Sequence, residues 1–338
     1  MSNTVEGFTF STYDVQSMTP AEIYGQVLSD LMEDHPEIIV LTADLAKSTK
    51  VGIAGKNHPD RLFNVGVAEQ NLVGIGAGMA RAGLVPFIST FAVFLSMRAV
   101  EFVQTDICYQ NLNCKLIGSH AGTSFAAAGP THHSIEDIAI MRSLPNMTVI
   151  VPADGYEAAN AVKASLKING PVYIRINRGG NPVAIYESED YGFEVGKAIE
   201  LHPGTDATII VCGSTVIPAI KATEILERED GVTVRVLNMH TIKPIDREAI
   251  LSAVHDTRCI LTVEDHSIIG GLGSTVADVI AESGKGCIFQ KVGIPDEFAI
   301  IGDTEEIPHH YKMDTEGIIE NARKIMGYKS KEGQEGTQ

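Results

Sequence analysis

Short apolar runs alternate along this chain with stretches of helical periodicity. In the first half, Ile38 to Thr42, Leu84 to Ile88, Lys115 to Ser119, Thr148 to Val151 and Val172 to Ile176 predict strands. Helices are predicted between them near Leu72 to Arg81, Met97 to Tyr109, Ile135 to Arg142 and Tyr156 to Ile168. A further helix should begin at Thr19-Pro20-Ala21-Glu22, which combines a capping hydroxyl, proline at the first helical position and a glutamate at the third, and should run to about Asp34. Apolar strands separated by helices imply βαβ units and a mostly parallel sheet covered on both faces.

From Asn181 to Pro203 the pattern loosens into Gly, Pro, Glu and Asp, as in a domain linker. A second α/β unit follows, with strands expected at Ala207 to Cys212, Thr233 to Leu237, Cys259 to Val263 and Ile288 to Val292. Its helices are expected near Pro218 to Arg228, Arg247 to His255 and Ser274 to Ser283. The organisation read from the pattern is an N-terminal extension (1–18), a first α/β domain (19–180), a linker (181–204), a second α/β domain (205–327) and a polar, disordered tail (328–338).

Composition narrows the class. The 338 residues suffice for two cores, and 44% hydrophobic with 20% charged residues fits a globular enzyme and excludes a disordered chain. A net charge of −17 argues against nucleic acid or an anionic membrane as partner, so an anionic substrate would need a local basic pocket. The 5 cysteines show no CxxC spacing, which indicates neither a disulfide framework nor a zinc site. With no signal-like N-terminus and no apolar run near the roughly 18 residues that span a bilayer, a soluble, cytoplasmic protein is expected.

Several segments could carry chemistry. In Asn64-Val65-Gly66-Val67-Ala68-Glu69-Gln70-Asn71 a single glutamate stands where a strand-like run becomes a glycine-rich helix. A carboxylate there can be buried at a sheet end to polarise a ring nitrogen, although an ordinary first-turn glutamate is favoured by the helix dipole as well. Phe87, Phe91 and Phe94 could form core or stack on a flat heterocycle. Gly213-Ser214-Thr215 and Gly270-Gly271-Leu272-Gly273-Ser274 open helices after strands, but without phosphate-loop spacing they read as tight turns. Glu264-Asp265-His266 could bind a metal, yet neighbours on a strand face opposite ways, so an exposed loop is expected there.

The order Ala43-Asp44-Leu45, Val65 to Asn71, Ser89-Thr90-Phe91, Gly129-Pro130-Thr131-His132, Ile135-Glu136-Asp137 and Val151-Pro152-Ala153-Asp154 resembles the transketolases, and Glu264 to Gly273 resembles their C-terminal domain. The resemblance implies a pyrimidine-binding thiamine diphosphate fold followed by a transketolase C-terminal domain. It implies that Glu69 hydrogen-bonds the pyrimidine nitrogen of thiamine diphosphate, promoting the tautomer that removes the thiazolium proton. Phe91 and Phe94 match the pyrimidine pocket, and Met97 stands where many relatives have tyrosine. His132 matches a histidine that contacts the ketose and assists proton movement, while Ser48, His120 and Arg178 match positions that hold a distal phosphate.

Two departures bear on substrate. Ala127-Ala128-Gly129 replaces Glu-Asp-Gly, removing a carboxylate that binds an acceptor hydroxyl, and no basic residue lies around Ala21 to Tyr24, where relatives carry an arginine. The family's Gly-Asp-Gly segment for diphosphate and Mg2+ is not found either. The resemblance is therefore to the C-terminal subunit of a split transketolase. A separate N-terminal subunit would bring diphosphate and Mg2+ in an α2β2 assembly and ketol transfer between sugars would be the reaction. The runner-up is a 2-oxo acid dehydrogenase beta subunit or a deoxyxylulose-phosphate synthase-like half enzyme. A non-catalytic scaffold is the third reading.

Overall fold

Seven strands form the first sheet of the computed structural model, which describes residues 4–5, 8–9, 13–15, 17–179 and 184–335. Their order across the sheet is Thr241–Lys243, Thr148–Ile150, Val172–Arg175, Lys115–Ser119, Val85–Phe91, Ile38–Thr42 and Leu62–Asn64. All neighbours run parallel except Thr241–Lys243, an antiparallel edge strand that the second half of the chain lends to this sheet. Ile38–Thr42 and Lys115–Ser119 are buried along their whole length, as continuous apolar strands between two helical layers must be.

The helix Pro20–Asp34 starts as expected. Thr19 Oγ1 accepts the Glu22 N–H at 3.3 Å and Glu22 Oε2 accepts the Thr19 N–H at 3.0 Å, which satisfies donors at both places. The glycine-rich helix Glu69–Arg81 lies tight against the Val85–Phe91 strand: a Cβ on Gly76 would stand 2.4 Å from Ile88 Cδ1, so only glycine permits this approach.

The second sheet has the order Ile288–Ile294, Cys259–Ser267, Ala207–Val211, Val234–Asn238 and Ile199–His202, all parallel but for the last. An α/β fold with two mostly parallel sheets is thus what the molecule has. Hydrogen bonds also cross between the halves. Asn238 Nδ2 donates to Glu157 Oε1 at 2.8 Å, and burial pushes the Glu157 carboxyl up to about 7 despite that bond.

Several expectations need correction. The linker contains the strand Ile199–His202, and Ile185 N donates to Asp154 Oδ2 at 2.8 Å, so it is anchored rather than loose; residues 181–183 lie outside the described residues. Tyr13 and Val15 of the extension pack into the first core. The expected disordered tail is helical where it is described, because the helix Thr315–Glu335 continues past Tyr328; residues 336–338 lie outside the described ones. In place of one regular helix over Met97 to Tyr109, π-helical turns at Phe94–Arg98 and Val103–Cys108 flank Val100–Phe102. Wide turns of this kind occur often beside functional sites.

Glu264, Asp265 and His266 are not in an exposed loop. All three are buried in the strand Cys259–Ser267. The Leu272 and Gly273 N–H groups at the start of helix Leu272–Glu282 donate to the Glu264 carboxylate at 2.7 and 2.8 Å. A side-chain carboxylate therefore occupies that glycine-rich helix start, as the tight-turn reading requires.

Candidate active site

The candidate residues follow the carboxyl ends of neighbouring parallel strands, where ligands bind in open α/β sheets. Ser48 and Lys50 follow Ile38–Thr42, Glu69 follows Leu62–Asn64, Phe91 ends Val85–Phe91, His120 follows Lys115–Ser119 and Arg178 follows Val172–Arg175. Asn64 braces the first two loops: its Oδ1 accepts the Asp44 N–H at 2.9 Å and the Gly66 N–H at 3.0 Å. The Ala43-Asp44-Leu45 and Val65 to Asn71 motifs are thereby tied into one rim.

Glu69 occupies the first position of its helix, where the dipole favours an anion, and is 2% exposed. Among the described residues only Arg98 approaches its carboxylate, with Nη1 3.4 Å from each oxygen. These contacts are long for a charge-assisted pair, and the other side of Arg98 lies over the Phe94 ring, 3.8 Å from its centroid. The carboxylate is thus buried, weakly engaged and beside an aromatic face.

The aromatic faces converge. Ring centroids of Phe91 and Phe94 lie 5.4 Å apart, Phe91 and His120 4.1 Å, and Phe94 and His132 5.4 Å. Phe125 packs edge-on against His120 at 5.0 Å and against His132 at 5.5 Å. Arg178 stacks over Phe125, its guanidinium carbon 4.7 Å from the centroid. Glu69, Phe91, Phe94, His120, His132 and Arg178 are therefore brought together. Met97 stands on the same π-helical turn as Phe94, with its side chain exposed. Ser48 lies in the loop carrying Lys50, and no hydrogen bond among the described residues joins it to the ring cluster.

Burial, and after it the charges of Arg178, His132 and Lys50, push the His120 imidazole down to about 4. Near neutral pH the ring is uncharged, and Arg178 and Lys50 are the permanent cations whose charges reach it. Sequence reasoning did not single out Lys50. Lys50 Nζ donates to Glu22 Oε1 at 3.0 Å, which places a cation at the first turn of Pro20–Asp34, the region where the sequence shows none. Arg98 and Phe125 were also missed. Their only local signal is proximity to the aromatic motif and to the Gly-Pro-Thr-His segment.

These residues fit the pyrimidine half of thiamine diphosphate, with a buried acid beside two phenylalanine rings tilted 30° to each other. They do not fit its diphosphate and metal. Among the described residues the one cluster with metal-ligand geometry is His309, Asp314 and Glu316, which belongs to the second α/β unit and consists largely of exposed groups. No helix among the described residues is long and apolar enough to cross a membrane.

Comparison with known proteins gives the same picture. Residues 16–182 match the model of the transketolase pyrimidine binding domain, and 196–318 that of the transketolase C-terminal domain. The chain is 41% identical to a putative transketolase C-terminal section of Methanocaldococcus jannaschii, over 91% of this chain and 96% of that protein. It is 39% identical to an apulose-4-phosphate transketolase subunit of Phocaeicola vulgatus, over 88% and 95%. A split-gene transketolase solved as an inactive beta4 tetramer superposes with a TM-score of 0.82 at 40% identity, covering 92% of this chain and 99% of that one. The chain belongs to the transketolase family, whose members depend on thiamine diphosphate, and it corresponds to the C-terminal, beta-type subunit of a split transketolase.

Proposed function

We propose that this chain contributes the pyrimidine-binding and ketose-contacting half of an active site whose diphosphate and Mg2+ are held by a separate N-terminal subunit in an α2β2 assembly. The observation that carries this is the pairing of a buried Glu69 and its aromatic shelf with the lack, among the described residues beside them, of any metal-ligating set. Exposed Phe63, Val67, Met97 and Tyr109, all from the part of the chain that carries Glu69 and Phe94, support a partner surface there.

When bound, thiamine diphosphate supplies the nucleophilic carbon and the electron sink needed to break the bond next to a ketose carbonyl. Glu69, held among the described residues only by long contacts to Arg98, would accept a hydrogen bond from, and share a proton with, the pyrimidine nitrogen. Phe91 and Phe94 receive the ring and, with Met97, exclude water. His132, its Nδ1 2.9 Å from the Thr131 hydroxyl, moves a proton at the ketose hydroxyl that is deprotonated as the chain breaks. Neutral His120 and Ser48 hydrogen-bond the substrate, while Arg178 and Lys50 face its terminal anion.

Ala128 leaves out the carboxylate that would select an acceptor hydroxyl, and a relative is named for apulose 4-phosphate rather than for an ordinary pentose phosphate. A sulfonated, deoxy or branched ketose is the substrate class this favours, with the ordinary xylulose 5-phosphate and ribose 5-phosphate pair as the alternative. The 5 cysteines are all free, which supports a cytoplasmic setting.

Glu69→Gln tests the assignment. Turnover of the complex should fall at least about a hundredfold, because the lost group acts in proton transfer, while the fold and most cofactor affinity persist. Hydrogen–deuterium exchange at the thiazolium carbon isolates the step. Exchange as fast in the mutant complex as in wild type would remove Glu69 from this role.

A further inference from the structure

The strand Cys259–Ser267 of the second domain alternates its side chains. Glu264 and His266 serve one face, where the Ala139 N–H donates to His266 Nε2 at 3.3 Å, and Asp265 points the other way. Asp265 is 7% exposed and meets the loop that runs from His120 to Ser134. The Thr123 N–H donates to both its carboxylate oxygens at 3.1 Å, and Thr123 Oγ1 donates to Oδ1 at 2.9 Å. Gly122 adjoins this contact with φ +60°, and a Cβ there would lie 2.0 Å from Asp265 Oδ2, so the close approach requires glycine.

The far end of the same loop is held from the same strand. Arg175 Nη2 donates to the Asp265 carbonyl at 2.9 Å and to the Ser134 carbonyl at 3.1 Å, while Arg175 Nε pairs with Asp137 Oδ2 at 2.8 Å. Gly122 and Ser134 exchange backbone hydrogen bonds at 3.0 and 2.9 Å, closing the neck of the loop. Ser267 N donates to the Ile135 carbonyl at 2.8 Å just beyond it. Between these fixed points stand Phe125 and His132, while His120 precedes the neck at the end of the strand Lys115–Ser119. Among the described residues no hydrogen bond joins Asp265 to those rings.

We propose that Asp265 is a positioning residue through which the C-terminal domain sets the loop carrying Phe125 and His132, so that this domain shapes ketose handling without contributing to cofactor activation. The bonds to Thr123 and the Arg175 bridge fix both stems of one loop from one strand. Glu69 and its helix receive no bond from that strand among the described residues, so the effect is confined to the substrate side. Only the kinetic part of the test rests on the function proposed above.

In the isolated chain, hydrogen exchange measured by mass spectrometry should show residues 120–134 exchanging at least about tenfold faster in Asp265→Ala, with residues 69–81 unchanged. In the complex reconstituted with its N-terminal subunit, ketose kcat/KM should fall at least about tenfold while thiazolium-carbon exchange of bound thiamine diphosphate stays within about twofold. Asp265→Asn keeps an accepting oxygen and should recover most of both losses. Thr123→Val removes one of the bonds without emptying the carboxylate site and should show the same pattern, a few-fold in size, which serves if Asp265→Ala does not fold. Unchanged loop exchange in these variants, or equal losses in turnover and thiazolium exchange, would overturn the proposal. A wild-type complex without ketol transfer would sink the proposed function instead and leave the exchange measurement to decide the clamp.

Discussion

Replacing Lys50 by methionine keeps the length of the stem and removes the charge that stands beside the first turn of Pro20–Asp34. In the structure that charge pairs with Glu22 at 3.0 Å, both side chains being about one-third exposed. A pair this open to water is worth roughly 0.2–1 kcal/mol, so it holds Lys50 in place without competing strongly for it. A charged hydrogen bond to a substrate anion in the closed site is worth about 1.5–3 kcal/mol. The net advantage of turning from Glu22 to the substrate is then about 1–2 kcal/mol, a factor of about 5 to 30. Lys50→Met should reduce kcat/KM of the reconstituted complex by that factor on its best anionic ketose, mainly through KM, and by no more than about twofold on the same ketose without its terminal anion. Glu22→Gln preserves the capping bond to Thr19 and should lower KM for the anionic ketose, because the competing carboxylate is gone. Equal losses on the two ketoses, or none on either, would show that Lys50 does not meet the substrate.

Two further outcomes follow from the same site. The wild-type complex should favour a sulfonated, deoxy or branched ketose over xylulose 5-phosphate with ribose 5-phosphate, and Ala128→Asp should shift kcat/KM towards the ordinary pair by at least about tenfold; high efficiency on the ordinary pair with no turnover of the others would refute the substrate inference. An NMR titration of the His120 ring in the isolated chain should give a midpoint near 4, so that the ring takes up its proton only as pH falls through that value, and Arg178→Ala should raise the midpoint by removing a repelling charge; a wild-type midpoint near 6.5 would contradict the burial described.

What the chain made legible was local. The apolar runs marked the buried parallel strands because such strands must be hydrophobic on both faces, and the Thr19 to Glu22 capping pattern marked a helix start by its own hydrogen bonding. Two edge strands left no such mark: Ile199–His202 includes an exposed glutamate, and Thr241–Lys243 is only 3 residues long. The Glu264-Asp265-His266 run was misread because partners supplied only by the fold satisfy it: the start of the next helix for Glu264, and Thr123, 142 positions away, for Asp265. Glu69, Phe91, Phe94, His120 and His132 could be chosen from motifs, and the structure gathers them at one sheet end. Lys50 and Arg98 could not, since each acquires its place through a contact with Glu22 or Glu69 across a turn of the fold.

The central claim is that this chain holds half of a cofactor site, and calorimetric titration of the purified chain with thiamine diphosphate and Mg2+ tests it most directly. The Glu69 shelf alone, without diphosphate or metal ligands, predicts no binding heat up to roughly 100 μM cofactor, a ceiling of about −5.5 kcal/mol for the half-site. Micromolar binding by the isolated chain would contradict the claim.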